Sequence, residues 1–158
     1  MRQLFLIFFA AVYLQIGMYS CSEKEDKGQL VKNVTEFDYV VKNAKPGTKI
    51  ILANGEWNNV ELLFEGDGTI SDSIVLSVET KGQVILTGNS SLRISGSFLK
   101  VEGLVFKDGF TPTNAVISFR KNRDEISNNS RLTECVIDNF NIFMIEELAF
   151  LITCDHCL

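Results

Sequence analysis

The stretch that most constrains this chain is Leu92 to Gly109, L-R-I-S-G-S-F-L-K-V-E-G-L-V-F-K-D-G. Two alternating runs, Leu92-Arg-Ile-Ser and Leu99-Lys-Val-Glu, are followed by the apolar Leu104-Val-Phe. Alternation over this length marks a half-buried strand. Glycines stand at 96, 103 and 109, where a residue without Cβ can take the unusual dihedrals of a sharp corner. No Asn-Gly or Asp-Gly pair joins these runs, so they do not read as a hairpin. Strand, corner, strand, corner suits a chain that winds in one direction. The expectation is an all-β fold, a right-handed single-stranded parallel β-helix, with a β-sandwich as the alternative.

The same grammar extends on both sides. Lys49 to Ala53, Val60 to Phe64, Ile74 to Val78 and Val84 to Thr87 read as strands before this stretch, and Ala115 to Phe119 and Leu132 to Ile137 after it. Asn54-Gly55, Gly66-Asp-Gly68, Lys81-Gly82 and Gly88 read as turns between them. Equivalent runs recur at about 20 to 25 residues, the spacing of solenoid coils. About four coils are expected, with glycine doing most of the turning. Thr35 is placed to cap a helix from Glu36 to Ala44, and Phe37, Val40, Val41 and Ala44 make its apolar stripe. Such a helix would cover the open first coil, whose exposed strand edges would otherwise invite aggregation.

Residues 1–20 read as a signal peptide. Arg2 is followed by a nearly unbroken apolar run, Leu4 to Met18, short for a membrane span of about 20 residues. Ser20-Cys21 is similar to the end of a bacterial lipoprotein signal, which makes Cys21 the candidate lipidation site and the membrane, through that acyl anchor, a partner. Ordinary cleavage or an uncleaved anchor are the alternatives. Residues 21–30 form a charged tether beginning Ser22-Glu-Lys-Glu-Asp-Lys27. The expected location is the cell surface, the outer membrane or the periplasm.

The folded part is expected over 31–141. The whole chain of 158 residues has 46% hydrophobic residues and a net charge of −5, and it reads as one globular monomer with no nucleic-acid partner, since that would call for a basic patch. One local exception is the polar insertion Lys121 to Arg131. Arg120, Lys121, Arg123 and Arg131 gather there on an otherwise acidic protein. They are the candidate substrate-binding residues, and an anionic polysaccharide is the partner they suit. A solvated loop, with Asp124 and Glu125 paired to these bases, is the competing reading. Cys135 is read as buried in a strand.

Leu86 to Gly109, with Gly109-Phe-Thr-Pro, Ala115 to Arg120 and Cys135-Val-Ile-Asp-Asn-Phe-Asn141, resembles the early coils of polysaccharide lyase family six, the family of alginate lyases and chondroitinase B. The resemblance implies a parallel β-helix that cleaves uronic-acid polymers by β-elimination. It also implies Ca²⁺ as cofactor of the full-length family, with a lysine base and an assisting arginine. Those residues lie on later coils in the family. The resemblance therefore assigns no catalytic residue, no metal ligand and no cofactor to this chain, and Arg93, Lys100 and Lys107 are not substitutes for the missing base. The fragment is expected to be inactive. A non-catalytic glycan-binding module or a functionless truncated product are the alternatives.

After Asn141 the grammar changes. Residues 142–158 lack turn glycines and strand alternation, and are read either as out of frame or as a capping helix, since Ile142, Ile145, Ala149 and Ile152 fall at near-helical spacing. Cys154-Asp-His-Cys157 is a Cys-x-x-Cys without a second half, and predicts neither a metal site nor a redox pair.

Overall fold

A computed structural model describes residues 28–142. The expected signal peptide, Cys21, most of the tether and the 143–158 tail lie outside the described residues. The chain opens with strand β1 (Gln29–Val31) and helix α1 (Val34–Lys42), then winds through three turns. The first holds β2 (Lys49–Leu52), β3 (Gly55–Asn58) and β4 (Glu61–Asp67). The second holds β5 (Ile74–Val78), β6 (Val84–Asn89) and β7 (Ser91–Ser97). The third holds β8 (Leu99–Glu102), β9 (Val105–Thr111) and the short β10 (Ile117–Ser118) and β11 (Ser127–Asn128). The last described strands are β12 (Arg131–Thr133) and β13 (Val136–Ile142).

Every strand pairing is parallel, and the strands stack into three sheets. Sheet one runs β1-β2-β5-β8-β12, and sheet two runs β3-β6-β9-β13. In sheet three β7 joins β4, β10 and β11. This is the parallel β-helix expected from the sequence. Its three turns and the first two strands of a fourth correspond to the coils counted there.

Apolar residues of equivalent strands stack inside the coil. In sheet one Ile50, Leu76, Val101 and Leu132 are in register. In sheet two the buried Trp57, Leu86 and Phe106 are in register, and Ile137 follows them at the exposed end of the ladder. In sheet three Leu62 pairs with Leu92, and Phe64 with Ile94. Phe37, Phe64 and Phe106 are among the largest fully buried side chains. Trp57 is buried, and its indole N–H donates to the Ala53 carbonyl at 3.1 Å. Asn54-Gly55 makes the corner from β2 to β3 as expected, with Gly55 at φ 131° as the first residue of β3.

The helix covers the first turn as expected, with Phe37, Val40 and Val41 buried. Its start is two residues earlier than read. Asn33, not Thr35, is the cap: its Oδ1 accepts from Glu36 N–H at 2.9 Å, and the Glu36 carboxylate accepts from Lys32 N–H at 2.8 Å. Glu36 also accepts from Asn33 Nδ2 at 2.9 Å, so its carboxylate reaches back over the helix start while Asn33 satisfies a free N–H of the first turn. Asn33→Ala should lower stability by about 1 kcal/mol, read as a lower urea midpoint. An unchanged midpoint would show that the helix end does not depend on this side chain.

The corners differ most from expectation. The sharp residue after β7 is Phe98, at φ 52°, not Gly96. Asn59, Asp108, Asn129, Glu134 and Asn139 also hold positive φ. Asn and Asp tolerate this region because their short polar side chains bond locally, and Asn139 Nδ2 donates to Asp108 Oδ1 at 2.8 Å across turns. Gly103 is a true corner at φ 83°. Gly109 instead lies inside β9, where an added Cβ would come within 2.5 Å of the Gly88 oxygen and 2.6 Å of the Phe140 ring. Cys135 is half-buried in the bend between β12 and β13 rather than within a strand. Burial pushes its thiol pKa up.

Candidate functional site

Side chains alternate across a strand, so every second residue of sheet one faces out. Register aligns two outward rows. Lys49, Val75, Lys100 and Arg131 form the first. Ile51 and Ser77 are paired in the second, as are Glu102 and Thr133. Lys100 Nζ lies 2.6 Å from Glu102 Oε2. The hydrogen bond from Lys100 is the main force holding the Glu102 carboxyl below its ordinary pKa. Partial burial opposes it, while the Ser77 hydroxyl and the Lys49 charge add to it. At the edge of this sheet Lys81 pairs with Glu134 at 2.7 Å, which raises the Lys81 pKa. Arg131 is exposed and makes no ion pair with any described residue.

The four bases singled out in the sequence do not meet as one cluster. The loop between β10 and β11 closes on an antiparallel bridge, Arg120 to Ile126. Asn122 Oδ1 accepts from the N–H groups of Asp124 and Glu125 at 2.9 and 2.8 Å, an Asx-type turn that sets the tip. Lys121 points back to β4, with Nζ 2.8 Å from Glu65 Oε2 and 3.7 Å from Glu125 Oε2. These carboxylates, Glu65 first, raise its pKa. The expected loop pairing with Glu125 is present, and the stronger contact is one the sequence did not signal. Arg120 and Arg123 are exposed without an ion pair to described residues. Arg131 has left the loop altogether and stands beside Lys100 in sheet one.

Lys121 thus latches the insertion to sheet three. In Glu65→Gln, trypsin should cut the insertion after Arg123 several times faster while the core stays intact. Equal cleavage of variant and wild type would show that the Asx turn and the bridge hold the loop without the latch.

A shallow groove of about 520 Å³ lies on the outer face of sheet two, with Lys107 and Asp108 on one side and Glu56, Asn58 and Thr87 on the other. On one side Thr87 Oγ1 donates to Glu56 at 2.6 Å and accepts from Asn58 Nδ2 at 2.9 Å. Among the described residues no three Asp, Glu, His or Cys side chains converge to hold a metal ion. These residues therefore do not fit the Ca²⁺ ion implied by the resemblance, and no chemical step is routed through one. Sequence reasoning missed Lys100 as the register partner of Arg131, and Lys49 further along the same row, because only the strand register aligns them.

The chondroitinase B family model matches residues 31–155. Solved structures of a polysaccharide lyase family 6 alginate lyase, AlyGC, and of a mutant of it are each 52% identical to this chain, at TM-scores of 0.71 and 0.70. The match covers 72% and 71% of this chain but 16% and 15% of those chains. A mannuronic-acid-specific family 6 lyase from human gut microbiota is 25% identical at TM-score 0.63, over 71% of this chain and 26% of its own. The family 6 lyase Pedsa3628 from Pseudopedobacter saltans is 31% identical at TM-score 0.56, over 72% and 24%. No curated protein matches.

Proposed function

Because the chain belongs to the chondroitinase B family, we propose that it supplies the early coils of a polysaccharide lyase scaffold and engages uronic-acid polymers of the alginate or chondroitin/dermatan type. The observation that carries this reading is the 52% identity to an alginate lyase over 72% of this chain, at a TM-score of 0.71. An acidic protein that binds an acidic polymer needs cations that its own carboxylates leave open, and Arg120, Arg123 and Arg131 are exposed with no ion pair to a described residue.

Elimination from a uronate requires removal of the C5 proton beside a charged carboxylate, which makes that proton weakly acidic. A lyase lowers this barrier with a cation on the carboxylate and a base within hydrogen-bond reach of C5. The described residues supply cations that bind and orient the polymer. They offer no metal cluster, and Lys100 and Lys121 are both engaged by carboxylates. The reading is therefore one of binding without cleavage. Residues 1–30 would place this surface outside the cell, tethered through an acylated Cys21.

The test is direct. The purified 158-residue chain should retain alginate or dermatan sulfate in a pull-down while producing no ultraviolet absorbance from unsaturated ends. Absorbance that grows with protein concentration would show cleavage and overturn the binding-only reading. Failure to retain any uronic-acid polymer would overturn the glycan function itself.

A further inference from the structure

We propose that Lys100 and Arg131 form a carboxylate-binding step on the outer face of sheet one, along which a polyuronate chain lies parallel to the solenoid axis. This rests on the polyuronate function proposed above and assigns it a face.

The argument begins with a cost. Lys100 and Arg131 are register partners on adjacent strands, with side chains on the same outward face. Like charges placed directly across a strand pair are destabilising. Lys100 has an internal answer in Glu102, whereas Arg131 has no ion pair with any described residue. A bound carboxylate would relieve this repulsion, and the guanidinium fork suits its two oxygens.

The direction follows from spacing. Adjacent strands stand about 4.7–4.9 Å apart, close to the advance of one pyranose residue along a 1→4 chain. A polymer along the axis therefore meets one turn per sugar. Below Lys100 the same row offers Val75 and then Lys49: an outward apolar side chain for the C–H face of a ring, then another cation two turns away. The insertion cannot offer such a row. Its Arg120, Lys121 and Arg123 stand on an irregular loop rather than on a strand ladder with a repeat between turns. Glu102 flanks the row and repels an incoming carboxylate, so it restrains affinity rather than adding to it.

The experiment measures binding of the full 158-residue chain, in mild detergent, to alginate oligosaccharides, dermatan sulfate and neutral dextran. Circular dichroism checks the fold of each variant. Lys100→Gln and Arg131→Gln should each weaken alginate binding about threefold to fivefold, and the pair about tenfold or more, as expected for exposed charge pairs. Arg131→Lys should fall between wild type and Arg131→Gln, and serves if the double variant does not fold. Glu102→Gln should tighten binding. If Lys100→Gln and Arg131→Gln leave alginate binding unchanged while Arg120→Gln with Arg123→Gln abolishes it, the polyuronate function stands and this site falls. If only dermatan sulfate responds to the sheet-one variants, the row reads sulfate and the carboxylate assignment is overturned. If the wild type binds neither anionic polymer, or dextran equally well, both readings fall.

Discussion

Replacing Gly96 with Val should leave little folded protein. Gly96 sits in β7 at φ 110°, in register with Gly66 of β4. An added Cβ would collide with the Gly66 carbonyl oxygen and stand 2.9 Å from its carbon. The obstacle is backbone of the neighbouring turn, which cannot rotate away as a side chain would. A branched residue is also strained at this dihedral, by about 1–2 kcal/mol before any collision. Together these place the cost at about 4 kcal/mol or more, in the range reserved for severe backbone effects. For a domain stable by about 5–15 kcal/mol, that is enough to shift expression into the insoluble fraction. Gly82→Ala is the control. Gly82 has a positive φ of 78° but nothing within 4 Å of a new Cβ, so it isolates dihedral strain and should cost only about 1–2 kcal/mol. If both variants behave alike, the close approach of Gly66 and Gly96 is not what matters.

Phe106→Ala should be the most damaging change among core side chains. Phe106 is fully buried in register with Trp57 and Leu86, and meets Phe140 edge to face with centroids 5.4 Å apart and planes at 83°. Removing the ring loses burial, leaves a cavity between turns that are already spaced by backbone hydrogen bonds, and ends the aromatic contact. Large-to-small changes of this kind cost about 3–5 kcal/mol, and the edge-to-face pair accounts for about 0.5–1.5 kcal/mol of such a loss. Urea unfolding followed by circular dichroism measures it. A conservative Phe106→Leu should recover most of the loss, since only the aromatic geometry and part of the volume go. A midpoint for Phe106→Ala equal to wild type would mean that the stack closes over the gap, contrary to a core whose spacing is set by the strand ladder.

These two predictions mark where the sequence spoke clearly and where it did not. Alternation in Leu92-Arg-Ile-Ser and Leu99-Lys-Val-Glu named β7 and β8, and placed Leu92, Ile94, Leu99 and Val101 inside. The stripe Phe37, Val40 and Val41 found the buried face of α1. Such patterns are local, so they survive without a structure. The corners were harder. Phe98 and Glu134 at positive φ carry no composition signal, because the sheets on either side enforce those dihedrals. Asn33 caps the helix, but the Thr at 35 drew the assignment two residues late.

The candidate site was legible only in part. Arg131 was marked by its charge, yet grouped with Arg120, Lys121 and Arg123 by nearness in sequence. The structure separates them: Lys121 turns to Glu65, and Arg131 begins β12. The sequence alone determined the winding architecture, the inward apolar positions and the presence of excess cations late in the third turn, because each depends on residues a few positions apart. Only the tertiary structure decided which cations share a face. That depends on register between turns, and the turns are unequal in length because the third carries the excursion from Phe119 to Ile126. Lys49, Lys100 and Arg131 become one row only when the hydrogen-bond ladders of sheet one fix that register.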